Sequence, residues 1–273
     1  MTGRLDKTVN YLVLAVFSTI ALYPVVGVFL AALQPDGPAA GGFSLPRSLN
    51  LDNFASAWTQ GHFSTYLRSS AIVAISVVTI SSLLSIMAGY AFGTMRFRGH
   101  KVLFYLFLLG LMVPLEGLVV PLYYDMRAVN LTDTYWALIL PQIALSLAFG
   151  TFWMRAFFMS APRSLIEAAQ IDGARHWSVL WRVLIPFARP AVLTMMVLIF
   201  MWTWNEFLLA LVMVQDEALR TAPLGLAFFQ GQYSSNASLL AAGAVIVATP
   251  VIVLYIFLQR HFIQGMLSGA VKG

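Results

Sequence analysis

Two carboxylates stand where a carboxylate is costly. Glu116 and Glu206 each lie inside a long apolar run. A charged side chain at the centre of a bilayer costs roughly 2.5–3.5 kcal/mol on insertion scales, so each must face protein or a water-filled cavity. Around the second, helical spacing at i, i+3, i+4 and i+7 puts Trp202, Asn205, Glu206 and Leu209 on one face. That face offers an aromatic ring and hydrogen-bonding groups to a polar solute in a translocation path. The same residues would serve, and somewhat more readily, as a polar clamp between helices with no solute contact. Glu116 lies between Pro114 and Pro121, where a broken helix leaves backbone groups to satisfy. As proton carriers, Glu116 and Glu206 would make the chain a proton-coupled secondary transporter acting alone. Against that, the sequence has no evident inverted repeat.

Other chemistry lacks its residues. The lysines are Lys7, Lys101 and Lys272, and none follows a glycine, so no Walker A loop holds ATP here. His62, His100, His176 and His261 are scattered without ligand spacing. There is no G-x-S-x-G elbow. There is also no cysteine, which removes disulfides, thiolate metal sites and a thiol nucleophile. The expectation is a chain that is not an enzyme and carries no metal or cofactor of its own.

The elements that must position these residues are membrane spans. Of 273 residues, 60% are hydrophobic and 10% charged, with a mean hydropathy of +0.81. Soluble domains carry about 25% charged residues, so most of this surface faces something other than water. Six stretches are long and apolar enough to cross a bilayer, near Tyr11–Leu33, Tyr66–Met95, Val102–Met126, Trp136–Phe158, Phe187–Val214 and Leu239–Gln259. The first is too long for a signal-peptide core and is expected to remain uncleaved. With the N-terminus inside, only Arg47, Arg68, Arg127 and Arg220 of the 16 basic residues fall outside. That bias predicts both termini in the cytoplasm, and it makes the high pI topological rather than a sign of nucleic acid. Residues 1–10 are then an inner N-terminus, 11–33 the first span and 34–65 an outer loop with room for one short helix. Residues 66–259 form a five-helix core with an inner segment at 160–186, and 260–273 an inner tail. In the second span Ser81, Ser85, Gly89 and Gly93 make a small-residue stripe suited to close packing within the chain or against a partner.

The inner segment carries the sharpest pattern. Ser164 with Glu167 three residues on predicts a capping box and a helix start. Gly173 predicts a left-handed stop. A second amphipathic piece follows through Trp177, Leu180, Trp181 and Leu184, until Pro186 and Pro190 restart the chain as the fifth span. On these residues alone, a helix lying on the headgroups and a docking helix for another protein fit equally well.

The segment resembles the EAA loop of ABC-importer membrane subunits, matching Glu167-Ala168-Ala169, Asp172-Gly173-Ala174 and then Pro186. The run Trp204-Asn205-Glu206-Phe207-Leu208-Leu209-Ala210-Leu211 is similar to one in carbohydrate importers. The ending Gly269-Ala270-Val271-Lys272-Gly273 resembles that of the maltose-type second permease, and Leu51-Asp52-Asn53-Phe54 fits the same group's first loop. The resemblance covers essentially the whole chain. It implies an all-α integral membrane protein with six transmembrane helices in the type I importer permease fold, located in the plasma membrane of a prokaryote. It further implies a heterodimer with a second related permease, two cytoplasmic ATPase subunits that bind ATP and Mg, and an extracytoplasmic sugar-binding protein delivering a di- or oligosaccharide. Glu167, Ala168, Ala169, Asp172, Gly173 and Ala174 would then contact the ATPase. Gly269, Ala270, Val271 and Lys272 would form a further tail contact, and Trp202, Asn205 and Glu206 would line the path.

Overall fold

A computed structural model describes residues 4–35, 48–232 and 236–270, with side chains over 7–35, 48–232 and 236–259. Among the described residues the chain is helical throughout, without a strand. Helix α1 runs Arg4–Ala32, α2 Asp52–Gln60, α3 Phe63–Thr94, α4 His100–Met112, α5 Leu115–Ala128 and α6 Tyr135–Ser160. Then follow α7 Arg163–Ile171, the single turn α8 His176–Ser178, α9 Ile185–Trp204, α10 Leu208–Met213, α11 Ala222–Gln232 and α12 Ala237–Ala270.

Five stretches are long and apolar enough to cross a membrane: Lys7–Ala32, Phe63–Thr94, Tyr135–Ser160, His176–Trp204 and Ala237–Gln259. The expected third span, Val102–Met126, is not one straight helix. α4 and α5 meet at 100°, so a sixth crossing exists only if the bent pair counts as one. The cause is Pro114. It cannot donate an N–H and pushes the preceding residue out of the helical region, and Val113 accordingly sits at φ −85°, ψ 118°. The fifth span also differs. It begins at His176, because α8 continues through a wider π-helical turn, Val179–Leu184, straight into α9. Pro186 therefore does not restart the chain: the wider turn Val179–Leu184 just ahead of it accommodates its ring and its missing N–H within one continuous helix. At the other end α9 stops at Trp204, ten residues short of Val214.

The chain divides into two compact units. The first joins residues 1–64 with 225–250. In it the Asn53 side chain, almost fully buried, donates to the carbonyls of Ala32 and Gln34 at 2.9 and 2.7 Å and so ties α2 to the end of α1. This gives the Asn53 of the first-loop pattern a structural task. The rest of the outer loop, residues 36–47, lies outside the described residues. Phe63, fully buried, packs edge-on against Phe229 with ring centroids 5.6 Å apart.

The second unit joins residues 65–224 with 251–273 and holds the larger core. Its tightest seam lies between α3 and α6. A Cβ on Gly89 would come within 2.6 Å of the Met154 Cβ, and one on Gly150 within 2.7 Å of the Ser85 Cβ. The small-residue stripe thus packs inside the chain. Trp153 on α6 donates its indole N–H to the Ala191 carbonyl on α9 at 3.0 Å. At one end of this unit, Asp133 accepts the backbone N–H groups of Gln215 and Asp216, both at 2.9 Å. Tyr66 donates to Glu217 at 3.0 Å, and Ser70 accepts the Ala222 N–H at 2.8 Å.

Candidate functional site

The inner pattern folds as a helix, a left-handed turn and a second helix. α7 begins at Arg163, with Pro162 in the capping position and no side-chain cap bond. The expected Ser164–Glu167 capping box is therefore absent. Pro162 holds the extended geometry by itself and places Ser164 inside the first turn, where a hydroxyl no longer faces the free N–H groups. The other end follows the expectation. Gly173 takes φ +81°, the Gly173 N–H bonds the Gln170 carbonyl at 3.0 Å, and the Ala174 N–H bonds the Ala169 carbonyl at 2.9 Å. This paired closure is the Schellman arrangement, which favours glycine because a Cβ in the left-handed region clashes with the following carbonyl.

The two sides of this segment are unlike. Ile166, Ala169, Ala174 and Trp181 pack against the core of the second unit, while Val179, Leu180 and Leu184 are buried in it. Tyr90 on α3 meets the His176 Nδ1 at 3.3 Å. Outward lie Glu167, Ala168, Asp172 and Gly173, all exposed. Ile171 is 86% exposed and Trp177 62%. Ile171 thus stands open between the exposed Glu167 and Ala168 on one side and the exposed Asp172 and Gly173 on the other. Of the six residues expected at the coupling contact, these four face outward, and Ala169 and Ala174 lie on the packed side.

The second candidate region is the break after α9. The helix ends at Trp204, so Trp202, Asn205, Glu206 and Leu209 do not share one helical face as expected. The reason is Glu206 itself. Its Oε1 accepts the Leu209 N–H at 2.7 Å and its Oε2 the Ala210 N–H at 3.2 Å, which satisfies the free N–H groups at the start of α10 and stabilises a new helix there. Asn205 turns away and donates its amide to the Met201 carbonyl at 2.7 Å. Trp202 and Glu206 do come together. With Gln142, Ser146 and Thr203 they line a cavity of about 320 Å³ that also reaches Val113 and Leu115 at the α4–α5 bend. Asn205 is not part of that lining. Sequence reasoning missed Gln142 and Ser146, although two polar residues within the apolar run of the fourth span are a visible sign.

Glu116 is exposed in the first turn of α5, beside Pro114, where an acid is favourable to the helix dipole. In the tail, Gly269 and Ala270 belong to α12, which continues as helix, while Val271 and Lys272 lie outside the described residues. No group of His, Asp or Glu that could hold a metal occurs among the described residues.

A family model, binding-protein-dependent transport system inner membrane component, matches residues 81–268. The chain belongs to this family. The permease is 35% identical over 95% of its length to the arabinooligosaccharides transport system permease protein of Halalkalibacterium halodurans, covering 94% of that relative. It is also 35% identical to the trehalose transport system permease protein of Mycobacterium tuberculosis, over 93% of each chain. Among solved structures, a bacterial ABC transporter involved in the import of the acidic polysaccharide alginate matches with a TM-score of 0.79 at 24% identity, covering 96% of this chain and 99% of that one. The permease thus shares the importer fold. It is the membrane component of an ABC importer that works with a binding protein, and not itself an ATP-hydrolysing enzyme. The matched region takes in both the two-sided inner segment and the Glu206 break.

Proposed function

We propose that this permease forms half of the translocation path of a carbohydrate importer, paired with a related but non-identical permease. Two cytoplasmic ATPase subunits, holding ATP and Mg, would drive it, and an extracytoplasmic binding protein would deliver a di- or oligosaccharide. Both termini lie in the cytoplasm in this reading, as the distribution of Lys and Arg favours. The observation that carries it is the two-sided segment 163–184, anchored to the core of the second unit on one side and presenting Glu167, Ala168, Ile171 and Asp172 on the other. The names of the curated relatives support a saccharide as cargo.

In this mechanism the ATPase pair closes on nucleotide and pulls the docked α7. The Gly173 turn passes that motion to α9 through the continuous stretch His176–Trp204. The importer alternates between inward-facing and outward-facing states, a two-state equilibrium biased by partners that bind the two states unequally. The cavity at Trp202 and Glu206 supplies a ring for a sugar face and polar groups for hydroxyls.

The test is affinity purification of the tagged chain from native membranes in mild detergent. A second permease and an ATPase should come with it, and the co-encoded binding protein should bind a saccharide. Ile171→Asp leaves the fold intact, since the side chain is almost wholly in solvent, and should release the ATPase while retaining the second permease. A chain recovered alone yet competent for transport would overturn the assignment.

A further inference from the structure

We propose that the permease holds a phosphoryl anion, carried by the headgroup of an anionic phospholipid, in a basic pocket behind its coupling helix. The pocket has a volume of about 480 Å³ and lies where α3 and α6 end and α7 begins. Four cationic or protonatable side chains line it, Arg96, His100, Arg155 and Arg163, against a single carboxylate, Glu167.

Arg155 is the most committed of these. It is half-buried on α6. Its Nε–H donates to the Phe92 carbonyl at 3.3 Å, and its guanidinium carbon sits 4.0 Å over the Phe104 ring. Those contacts fix the plane of the guanidinium and leave its terminal N–H groups without a carboxylate among the described residues. A guanidinium so held is a ready fork for phosphate oxygens. His100 is oriented as well, with its Nδ1 donating to the Phe97 carbonyl at 3.1 Å.

The position selects the source of the phosphate. Arg155 lies five residues before the end of α6 at Ser160, about 7.5 Å along the axis. Arg96 follows the last residue of α3 by two. Both therefore stand at headgroup depth whichever way the chain is oriented, where long basic side chains reach the interface. Phe92, Phe158, Met159 and Ile166 give the same space an apolar side, suited to the first methylenes of an acyl chain. Basic pockets between membrane helices suit anionic headgroups. Because Glu167 and Gln170 of α7 also line the space, an occupied pocket braces the coupling helix from behind. Glu167 is exposed and also edges this pocket, so the pocket and the outward face of α7 share that one carboxylate.

The test uses the purified importer complex in nanodiscs of phosphatidylcholine with a rising fraction of phosphatidylglycerol, and counts retained phosphatidylglycerol by native mass spectrometry. The expected result is one retained molecule per copy of this chain. Arg96→Gln with Arg163→Gln, both exposed and tolerable to the fold, should weaken retention about twenty-fivefold, at about fivefold per cation. Arg98→Gln with Lys101→Gln removes the same charge just outside the lining, within one screening length, and should weaken retention severalfold less than the first variant. Equal losses in the two double variants would show general attraction to the surface and overturn the pocket. So would absence of retention in the unaltered complex, unless inorganic phosphate binds in phosphatidylcholine alone and is lost only in the first variant. That last outcome would uphold the anion site and assign its source to solution.

Discussion

Gly173 and Glu206 act through backbone geometry, and that makes their substitutions gradable. Gly173 has a φ of +81° with nothing within 4 Å of an added Cβ, so any penalty there is handedness and not crowding. A non-glycine residue in the left-handed region costs about 1–2 kcal/mol, asparagine less. The expected order for sugar uptake at matched expression is glycine, then Gly173→Asn, then Gly173→Ala, then Gly173→Val, with ATPase activity retained but progressively uncoupled. Uptake by Gly173→Val equal to the unaltered chain would remove the turn from the coupling route. At Glu206 both carboxylate oxygens accept backbone N–H groups. A glutamine in its place has only one acceptor oxygen, so Glu206→Gln should weaken the start of α10 by about 1 kcal/mol and lower uptake several-fold with normal complex yield. Unchanged uptake would mean that the negative charge is dispensable.

At the scale of elements, the α3–α6 seam sets the strictest demand. Gly150→Ala drives a Cβ into Ser85 and brings it to 3.2 Å from the Met195 sulfur. Overpacking of this kind costs about 1–3 kcal/mol and should lower the melting midpoint of the purified complex. Gly110→Ala, whose new Cβ would meet Ala148 at an ordinary 3.6 Å, should leave the midpoint within error. A midpoint unchanged by Gly150→Ala would show that the seam can spread. These elements also show what a sequence makes legible. Apolar runs and small-residue spacing reveal spans and the seam, because lipid tolerates little else. The Gly173 stop is legible because one residue type dominates that geometry. The breaks at Pro114 and Glu206 are harder to read, although their residues stand out. An intramembrane glutamate reads as a charge in need of a partner across helices, whereas the partners of Glu206 are the N–H groups three and four residues on. The capping box misleads for the opposite reason, since Pro162 pre-empts a plausible pattern from one position before α7 begins.

For the whole molecule, the absence of cysteine allows the orientation to be measured directly. Single cysteines at Arg98 and Asn130, both exposed at helix-connecting segments, should react with a membrane-impermeant thiol reagent from opposite sides. Asn130→Cys should label in intact cells with any outer barrier opened, and Arg98→Cys only in inverted vesicles. The reverse pattern would put the coupling segment outside and end the importer reading. Helix α1 meets the same bilayer held by the rest of the chain mainly at its end, where Ala32 is buried and Asn53 bonds the Ala32 carbonyl. Across its most apolar window it has no buried residue, so its sides are held by whatever surrounds the protein. Its 26-residue crossing, Lys7–Ala32, measures about 39 Å at 1.5 Å per residue, against a hydrocarbon layer of about 30 Å. The excess must be taken up by tilt or by ends that rise among the headgroups. With its far end tied through Asn53 to α2 and no side chain buried along that window, α1 is a mast stepped at one end, whose lean the surrounding lipid and partners share in setting.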